Sequence, residues 1–172
     1  MILRASNLLC WVLFLTPVTP FLWQNNLTRA PDISPDTRIT LRRYNCFFTC
    51  PDYLVTITGD GTVTFEGYAN VRVKSKVTST ISREKVQTLT NAIAKARYFS
   101  LRDEYSSKED GCRNVWADSN SVTVSVSMNG RTKSIDHYLG CHRHNKETSY
   151  PPALSKLEEL IDELANTEQW IE

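Results

Sequence analysis

Two β-hairpins are the clearest elements that the alternation of apolar and polar residues predicts. In the first, residues 53–58 and 62–68 flank Gly59-Asp60-Gly61. A three-residue loop keeps one face of this hairpin apolar, because a two-residue Asp-Gly loop would set Val55 against Glu66. The predicted pairs are Ile57 with Val63 and Val55 with Phe65.

The second hairpin joins residues 121–128 to residues 131–138 through Asn129-Gly130. Asn-Gly supplies the two positive-φ positions of a type I′ turn, so the register follows from the turn. The predicted pairs are Val126 with Lys133, Val124 with Ile135 and Val122 with His137. One face of this hairpin is therefore apolar and includes His137, whereas the other carries serine, threonine and Asp136 and is expected to be solvated.

Further strands and two helices complete the predicted fold. Alternation predicts strands over residues 39–44 and 71–81, and helical spacing predicts an amphipathic helix over residues 82–97 with Ser82 as its N-cap. A second helix begins at Pro151-Pro152, and its apolar stripe comprises Leu154, Leu157, Leu160, Ile161 and Leu164. This order predicts an α+β fold: an antiparallel sheet of about five or six strands, including the two clear hairpins, with both helices packed on one face.

The N-terminal residues predict export from the cytoplasm. Residues 1–23 contain Arg4, then the apolar run Leu8 to Leu15 and two prolines, as is typical of a signal peptide or an N-terminal membrane anchor. The apolar segment is short for a full span, which needs about 20 residues, so a signal peptide is favoured over a membrane tether. Residues 24–37 have the composition of a linker, and residues 38–172 are predicted to form a single α+β domain. We therefore expect an extracytoplasmic protein: secreted, periplasmic or membrane-anchored.

Charge and motifs narrow the functions that the sequence favours. The 20 basic and 19 acidic side chains leave a net charge of only +1, so nucleic acid is not expected as a partner. No Rossmann, P-loop or nucleophile-elbow motif is present in the sequence. Asp136 and His137 are adjacent in a predicted strand and point to opposite faces, which prevents them from acting together as a base and its orienting group. These observations favour a protein that is not an enzyme and has no cofactor.

Four cysteines follow Cys10 in the chain: Cys46, Cys50, Cys112 and Cys141. An even number of cysteines in an exported chain predicts disulfides, and four cysteines allow three connectivities. Cys46 and Cys50 are four residues apart, so a single turn brings their Cα atoms within disulfide range, and Cys112 then pairs with Cys141. A crossed arrangement, such as Cys50 with Cys141, remains an alternative, because the sequence does not choose among the connectivities.

Two other kinds of chemistry are compatible with these cysteines. A zinc site is one alternative, and its candidate ligands are Cys46, Cys50, His137, Cys141, His142 and His144. Thiols outside the cytosol tend to oxidise, which opposes zinc binding. A thiol-redox site centred on Cys46, Cys50 and Cys141 is the other. Dithiol oxidoreductases usually have two residues between the cysteines and a helix after them, whereas three residues separate Cys46 from Cys50 and a predicted strand follows.

The cysteine motif also carries a family resemblance. The residues concerned are Cys46-Phe47-Phe48-Thr49-Cys50-Pro51-x-Tyr53, Gly59-Asp60-Gly61-Thr62, Gly67, Phe99-Ser100-Leu101-x-Asp103-x-Tyr105, Tyr138-x-Gly140-Cys141 and Thr167-Glu168-x-Trp170. In them the chain resembles domain of unknown function 6438, a family of exported and membrane-tethered bacterial proteins, over about residues 38–171. The resemblance implies the α+β domain and the extracytoplasmic location, and it implies no particular activity.

Two hypotheses about function follow from these observations. The first is a non-enzymatic binding or structural module, stabilised by disulfides, that contacts an unknown protein or a cell-envelope component. Its expected binding surfaces are the exposed hairpin faces and the long polar loop of residues 102–120. The second is a zinc-binding or thiol-redox domain centred on Cys46, Cys50 and Cys141.

Overall fold

A seven-stranded sheet organises the described part of the chain. The computed structural model describes residues 32–47, 49–143 and 148–172. In chain order, the strands and helices are β1 (Arg38–Arg43), β2 (Asp52–Thr58), β3 (Thr62–Ala69), β4 (Lys76–Thr80), α1 (Arg83–Lys95), β5 (Glu104–Tyr105), β6 (Asn114–Val115), β7 (Ser121–Met128), β8 (Arg131–Tyr138), β9 (Cys141–His142), α2 (Pro152–Ala165) and α3 (Glu168–Ile171). The predicted signal or anchor segment, residues 1–23, lies outside the described residues, as do residues 24–31 of the predicted linker, Phe48 and His144.

The sheet is larger than predicted and mixed in direction. Its strand order is β4-β3-β2-β1-β7-β8-β5, and β5 runs parallel to β8 while the other neighbours are antiparallel. The domain is α+β, but the prediction of about five or six antiparallel strands is wrong. The alternation along the chain did not indicate β5, because this strand has only two residues, Glu104 and Tyr105, inside a polar loop.

Both predicted hairpin registers are confirmed. Val55 pairs with Phe65 and Ile57 with Val63, as the three-residue loop requires. In the second hairpin the pairs are Val126 with Lys133, Val124 with Ile135 and Val122 with His137. A shift of one residue in either register would move the whole apolar face of a strand to the solvent side. Burial of that face therefore selects a single register.

The predicted strand over residues 71–81 forms only in part, as β4. Its first residues are held by the C-terminus instead: the backbone N–H groups of Arg72 and Val73 donate to the carbonyl oxygens of Ile171 and Trp170, at 3.1 and 3.0 Å. These carbonyls belong to α3, a short third helix in addition to the two predicted ones. These hydrogen bonds join residues about 100 positions apart, so the local alternation of apolar and polar residues could not predict them.

The two longer helices begin as local sequence signals indicate. The Ser82 side chain accepts a hydrogen bond from the Lys85 backbone N–H at 3.4 Å, which makes it the N-cap of α1. Proline stands at the start of α2, where its missing N–H costs no hydrogen bond. Over the described ranges, no helix combines the length and the apolar character that a membrane span requires.

The two faces of the sheet differ in burial. The face that shares a core with the helices is apolar, and its fully buried side chains include Ile39, Leu41, Val55, Ile57, Phe65, Val122, Val124 and Ile135. The helices add Leu89, Ile93, Leu154, Leu157 and Ile161 to this core. The opposite face, called the open face below, carries mainly hydroxyl and charged side chains, most of them partly exposed.

Candidate functional site

The first disulfide closes the connection between β1 and β2 at one end of the sheet. Cys46 and Cys50 are joined, with their Cα atoms 5.4 Å apart, and both are half-buried. The Asn70 side chain donates to the Cys50 carbonyl oxygen at 3.1 Å, which ties this loop to the end of β3. Phe47, between the two cysteines, is 82 % exposed.

The second disulfide lies inside the domain. Cys112 and Cys141 are buried and joined, with Cα atoms 5.1 Å apart. The bond links the long loop of residues 102–120 to β9, and β9 also pairs with β6 of the same loop in a small antiparallel sheet. This is the pairing that the spacing of Cys46 and Cys50 favoured over the crossed arrangement.

The structure does not group the described candidate zinc ligands, which exclude His144, into a metal site. The three cysteines among them, Cys46, Cys50 and Cys141, are in disulfides, so none presents a thiolate. His137 contacts a glutamate in the core, and the His142 ring stacks on Trp116 with ring centroids 3.9 Å apart. Among all the residues that the structure describes, no three or more His, Cys, Asp or Glu side chains are grouped so that they could hold a metal ion.

A tyrosine–arginine cluster, formed by Arg42, Tyr44 and Tyr68, lies on the open face beside the first disulfide. The Arg42 guanidinium lies 4.6 Å from the ring centroid of Tyr44 and 4.4 Å from that of Tyr68. Arg42 also forms an ion pair with Asp52 and donates to the Tyr53 carbonyl oxygen at 3.0 Å. Both rings remain accessible, at 39 % exposure for Tyr44 and 48 % for Tyr68. The cluster is thus an ordered aromatic surface in contact with solvent.

An open-face groove of about 390 Å³ adjoins this cluster. Its lining includes Tyr44, Glu104, Ser106, Ser121, Thr123, Asp136 and Tyr138. The strand register explains this gathering, because the Tyr44 N–H donates to the Ser121 carbonyl at 3.0 Å and Ser121 pairs with Tyr138. In the next row across the strands, Arg42 pairs with Thr123, Thr123 with Asp136 and Asp136 with Glu104. The second hairpin and the long loop therefore meet in one groove.

The walls of the groove are held by hydrogen bonds within the domain. Thr123 Oγ1 donates to the Asp136 carboxylate at 2.6 Å, and Ser106 Oγ donates to Glu104 at 2.5 Å. The Tyr138 hydroxyl donates to the Trp116 carbonyl oxygen at 2.8 Å. Gly140 permits this approach, because a Cβ there would lie 2.5 Å from Cε1 of Tyr138. Each carboxylate has used one acceptor site, and further acceptor sites remain on its oxygens.

A partly buried polar network lies behind the cluster, on the other side of β1. Neighbouring strand residues point to opposite faces, so Arg43 points inward and contacts the Asp162 carboxylate of α2 at 2.7 Å. Asp162 also accepts from the Tyr53 hydroxyl at 2.8 Å and from the Thr167 hydroxyl at 3.0 Å. The network ties β1, β2 and α2 together at the end of the sheet that carries the first disulfide.

A second buried pair joins the second hairpin to α2. His137 Nδ1 lies 2.8 Å from Glu158 Oε1, and both side chains are inaccessible to solvent or nearly so. His137 Nε2 is buried without a hydrogen-bond partner in the described structure. His137 is therefore a core residue held by α2, and its position beside Val122 agrees with the predicted register.

Two buried tyrosines make the domain sensitive to alkaline pH. Burial, and then the charge of Asp162, raise the pKa of Tyr53, and burial, and then the charge of Glu158, raise the pKa of Tyr98. In the unfolded chain a tyrosine loses its proton at about pH 10. The unfolded state is thus deprotonated first, and stability that is complete below pH 10 is lost as the pH rises above it.

We expect the free energy of unfolding to fall above pH 10 by about 1.4 kcal/mol per pH unit for each of these tyrosines. Urea unfolding at a series of pH values measures this slope. Tyr98→Phe should reduce this slope by the contribution of one tyrosine, about 1.4 kcal/mol per pH unit. An unchanged slope in that variant would contradict the assignment to Tyr98.

Neither the tyrosine–arginine cluster nor the acidic residues Asp162 and Glu158 were among the predicted site residues. The two acidic residues lie four residues apart on α2, beside the predicted apolar stripe of Leu154, Leu157 and Ile161. An acidic pair at this spacing shares one helix face with that stripe, which is the signal that the sequence offered. Their partners Arg43 and His137 are 119 and 21 residues away, and no local pattern connects them.

The fold and these features define an α+β domain with two disulfides and one open sheet face. Residues 37–165 match the model of a protein family described as Domain of unknown function (DUF6438). The match covers most of the chain, so the protein belongs to this family, and the family that the sequence predicted is confirmed. A search of curated proteins found no significant match.

Proposed function

We propose that this protein is a non-enzymatic, disulfide-stabilised binding module that acts outside the cytoplasm, and that the open face of its sheet is the binding surface. The observation that carries the proposal is the tyrosine–arginine cluster, where Arg42 holds Tyr44 and Tyr68 in accessible positions beside the groove. Exposed aromatic rings and arginine are the side chains that most often dominate binding energy at protein interfaces.

The position of the groove supports this assignment. Two of the surfaces expected to bind a partner contribute side chains to it. The exposed face of the second hairpin contributes Thr123 and Asp136, and the loop of residues 102–120 contributes Glu104 and Ser106. The Cys112–Cys141 disulfide fixes the loop close to the hairpin. A loop that is ordered before binding loses less conformational entropy when a ligand arrives.

The disulfides support a location outside the cytoplasm. Structural disulfides persist in oxidising compartments and are rare in the cytosol. The residues that precede the domain have the charge and the apolar run of an export segment, as described above. The partner is then a protein or an envelope component that this compartment contains.

Trapping of thiols in the native host tests the location and the state of the cysteines. We expect the protein outside the cytosolic fraction, with Cys46, Cys50, Cys112 and Cys141 protected from an alkylating reagent unless a reductant is added first. Mass spectrometry of non-reduced peptides reads out both disulfides. Alkylation of all four cysteines in a cytosolic protein would overturn the proposed location.

Thiol–disulfide exchange at Cys46 and Cys50 is the second candidate function. The observation in its favour is that this disulfide is only half-buried, whereas Cys112 and Cys141 are buried. In such an exchange an external thiolate attacks one sulfur, forms a mixed disulfide and releases the other sulfur as a thiolate. The same trapping measurement separates the candidates, because an exchanging pair yields a fraction alkylated at Cys46 and Cys50 alone.

A further inference from the structure

We infer that the open-face groove and the tyrosine–arginine cluster together bind a linear, uncharged polysaccharide. The inference rests on the proposed function and names the class of ligand for the same surface. Three properties of the surface lead to it: its length, the chemistry of its walls and its balance of charge.

The aromatic positions form a row across the strands. Tyr138 is on β8 and Tyr68 on β3, and the strands between them are β7, β1 and β2. Four strand spacings of about 4.8 Å place these two positions roughly 19 Å apart, with Tyr44 between them. A surface of this length contacts several consecutive sugar units, so a polymer fits it better than a single small molecule.

The walls of the groove match the two kinds of surface that a pyranose ring presents. One is a face of C–H bonds, which packs on an aromatic ring such as Tyr44 in the groove or Tyr68 beside it. The other is an edge of hydroxyl groups, which donate to carboxylates and exchange hydrogen bonds with side-chain hydroxyls. Asp136 and Glu104 supply the carboxylates, and Thr123 and Ser121 supply hydroxyl groups.

The rest of the open face extends this polar surface. Hydroxyl side chains, all but Thr56 at least partly exposed, follow one another in register across six strands, from β4 to β8: Thr78, Thr64, Thr56, Thr40, Ser125 and Ser134. The hydroxyl groups of Ser125 and Ser134 already share a hydrogen bond of 2.9 Å. Groups of this type serve as both donor and acceptor, as sugar hydroxyls do.

Two ion pairs on this face, and two carboxylates in the groove, disfavour an anionic ligand. Arg42 is paired with Asp52, and Lys76 lies 2.8 Å from Glu66. A polyanion would need a concentrated basic surface to replace its counterions, and the groove itself carries the carboxylates of Asp136 and Glu104. A polymer of neutral sugars meets no such repulsion.

An array of immobilised polysaccharides tests this inference, with neutral hexose polymers, N-acetylhexosamine polymers and uronic-acid polymers as probes and the full-length protein as the binder. We expect binding to at least one neutral polymer. Tyr44→Ala and Tyr68→Ala should each weaken it about tenfold, and Tyr44→Phe should retain it, because the ring is kept. Phe47→Ala is the matched control, since Phe47 is an exposed ring outside the groove lining, and it should leave binding unchanged. Binding to none of the polymers, or to uronic-acid polymers only, would overturn the ligand class.

Retention on cell envelopes separates failure of this inference from failure of the proposed function. Envelopes of the native host are probed untreated, after periodate cleavage of vicinal diols in sugars, and after protease digestion. Retention that needs Tyr44 and Tyr68 and is lost after periodate supports the polysaccharide. If retention needs both tyrosines but is lost only after protease digestion, the proposed binding module stands and the polysaccharide is rejected as its ligand. Retention that is the same in both alanine variants, or absent in the wild type, rejects the proposed surface itself.

Discussion

Replacing His137 by leucine is expected to lower the free energy of unfolding by about 3–5 kcal/mol. The change leaves the Glu158 carboxylate buried with its 2.8 Å hydrogen bond to His137 removed. An unpaired charge in the core retains its full desolvation cost, which explains why the loss exceeds that of an ordinary hydrogen bond. Urea unfolding followed by circular dichroism measures the loss.

The double variant His137→Leu/Glu158→Met is the informative partner of this experiment. It replaces both polar groups by apolar ones of similar size, and we expect most of the lost stability to return. His137 Nε2 makes no hydrogen bond to any residue that the structure describes. The double variant therefore removes no hydrogen bond of His137 other than the one to Glu158. Ser134→Ala, on the open face of the same strand, should change stability by less than about 0.5 kcal/mol. Additive losses from the two substitutions would show that the pair does not act as a unit.

Removal of the Cys112–Cys141 disulfide should cost more stability than removal of the Cys46–Cys50 disulfide. The sequence separations are 29 and 4 residues, so the first bond restricts the unfolded chain much more strongly. Loop entropy predicts losses of about 3.5 kcal/mol for Cys112→Ala/Cys141→Ala and about 2 kcal/mol for Cys46→Ala/Cys50→Ala. Unfolding of the two double variants by urea, side by side, measures the difference.

The same pair of variants also tests how the disulfides contribute. Equal losses, or a larger loss for Cys46→Ala/Cys50→Ala, would contradict the account based on loop length. Residual structure in the reduced, unfolded chain reduces both values, and comparison of the m-values of the two variants detects it.

Strand β1 connects the stabilising features to the proposed binding surface. Arg42 points to the open face and carries the tyrosine–arginine cluster, and Arg43 points inward to Asp162. The Cys46–Cys50 loop follows three residues after Arg43. The cysteine motif that dominates the sequence is thus part of the scaffold that positions Tyr44 and Arg42 on the open face. This arrangement relates the cysteine motif to the proposed binding surface without assigning chemistry to the cysteines.

Local patterns were sufficient for the elements whose partners are close in sequence. The Asn129-Gly130 turn and the apolar alternation on either side of it predicted the register of β7 with β8. The loop length at Gly59 to Gly61 did the same for β2 and β3. Ser82 was recognised as an N-cap because its partner, Lys85, is three residues away. In each case one side chain or one turn decides the geometry.

Local sequence patterns did not predict the order of the strands in the sheet. β1 pairs with β2 on one side and with β7, about 85 residues later, on the other, and this pairing creates the groove. β5 joins the sheet edge in parallel with only two residues. The first residues of the predicted strand over residues 71–81 form hydrogen bonds with α3 instead, which is also distant in sequence. The stability of each of these contacts depends on the whole core.

From its residues alone, this chain could be assigned to its family and to an α+β fold, with two registered hairpins and four cysteines expected to pair. The motifs indicate the family, and alternation, turn chemistry and helix capping, which act over a few residues, predict the elements and the hairpin registers. The pairing of cysteines, the Glu158–His137 contact and the approach of Tyr68 to Arg42 depended on the folded arrangement. They join residues brought together only when the sheet assembles, because burial of its apolar face selects the strand order and carries the side chains of the open face with it.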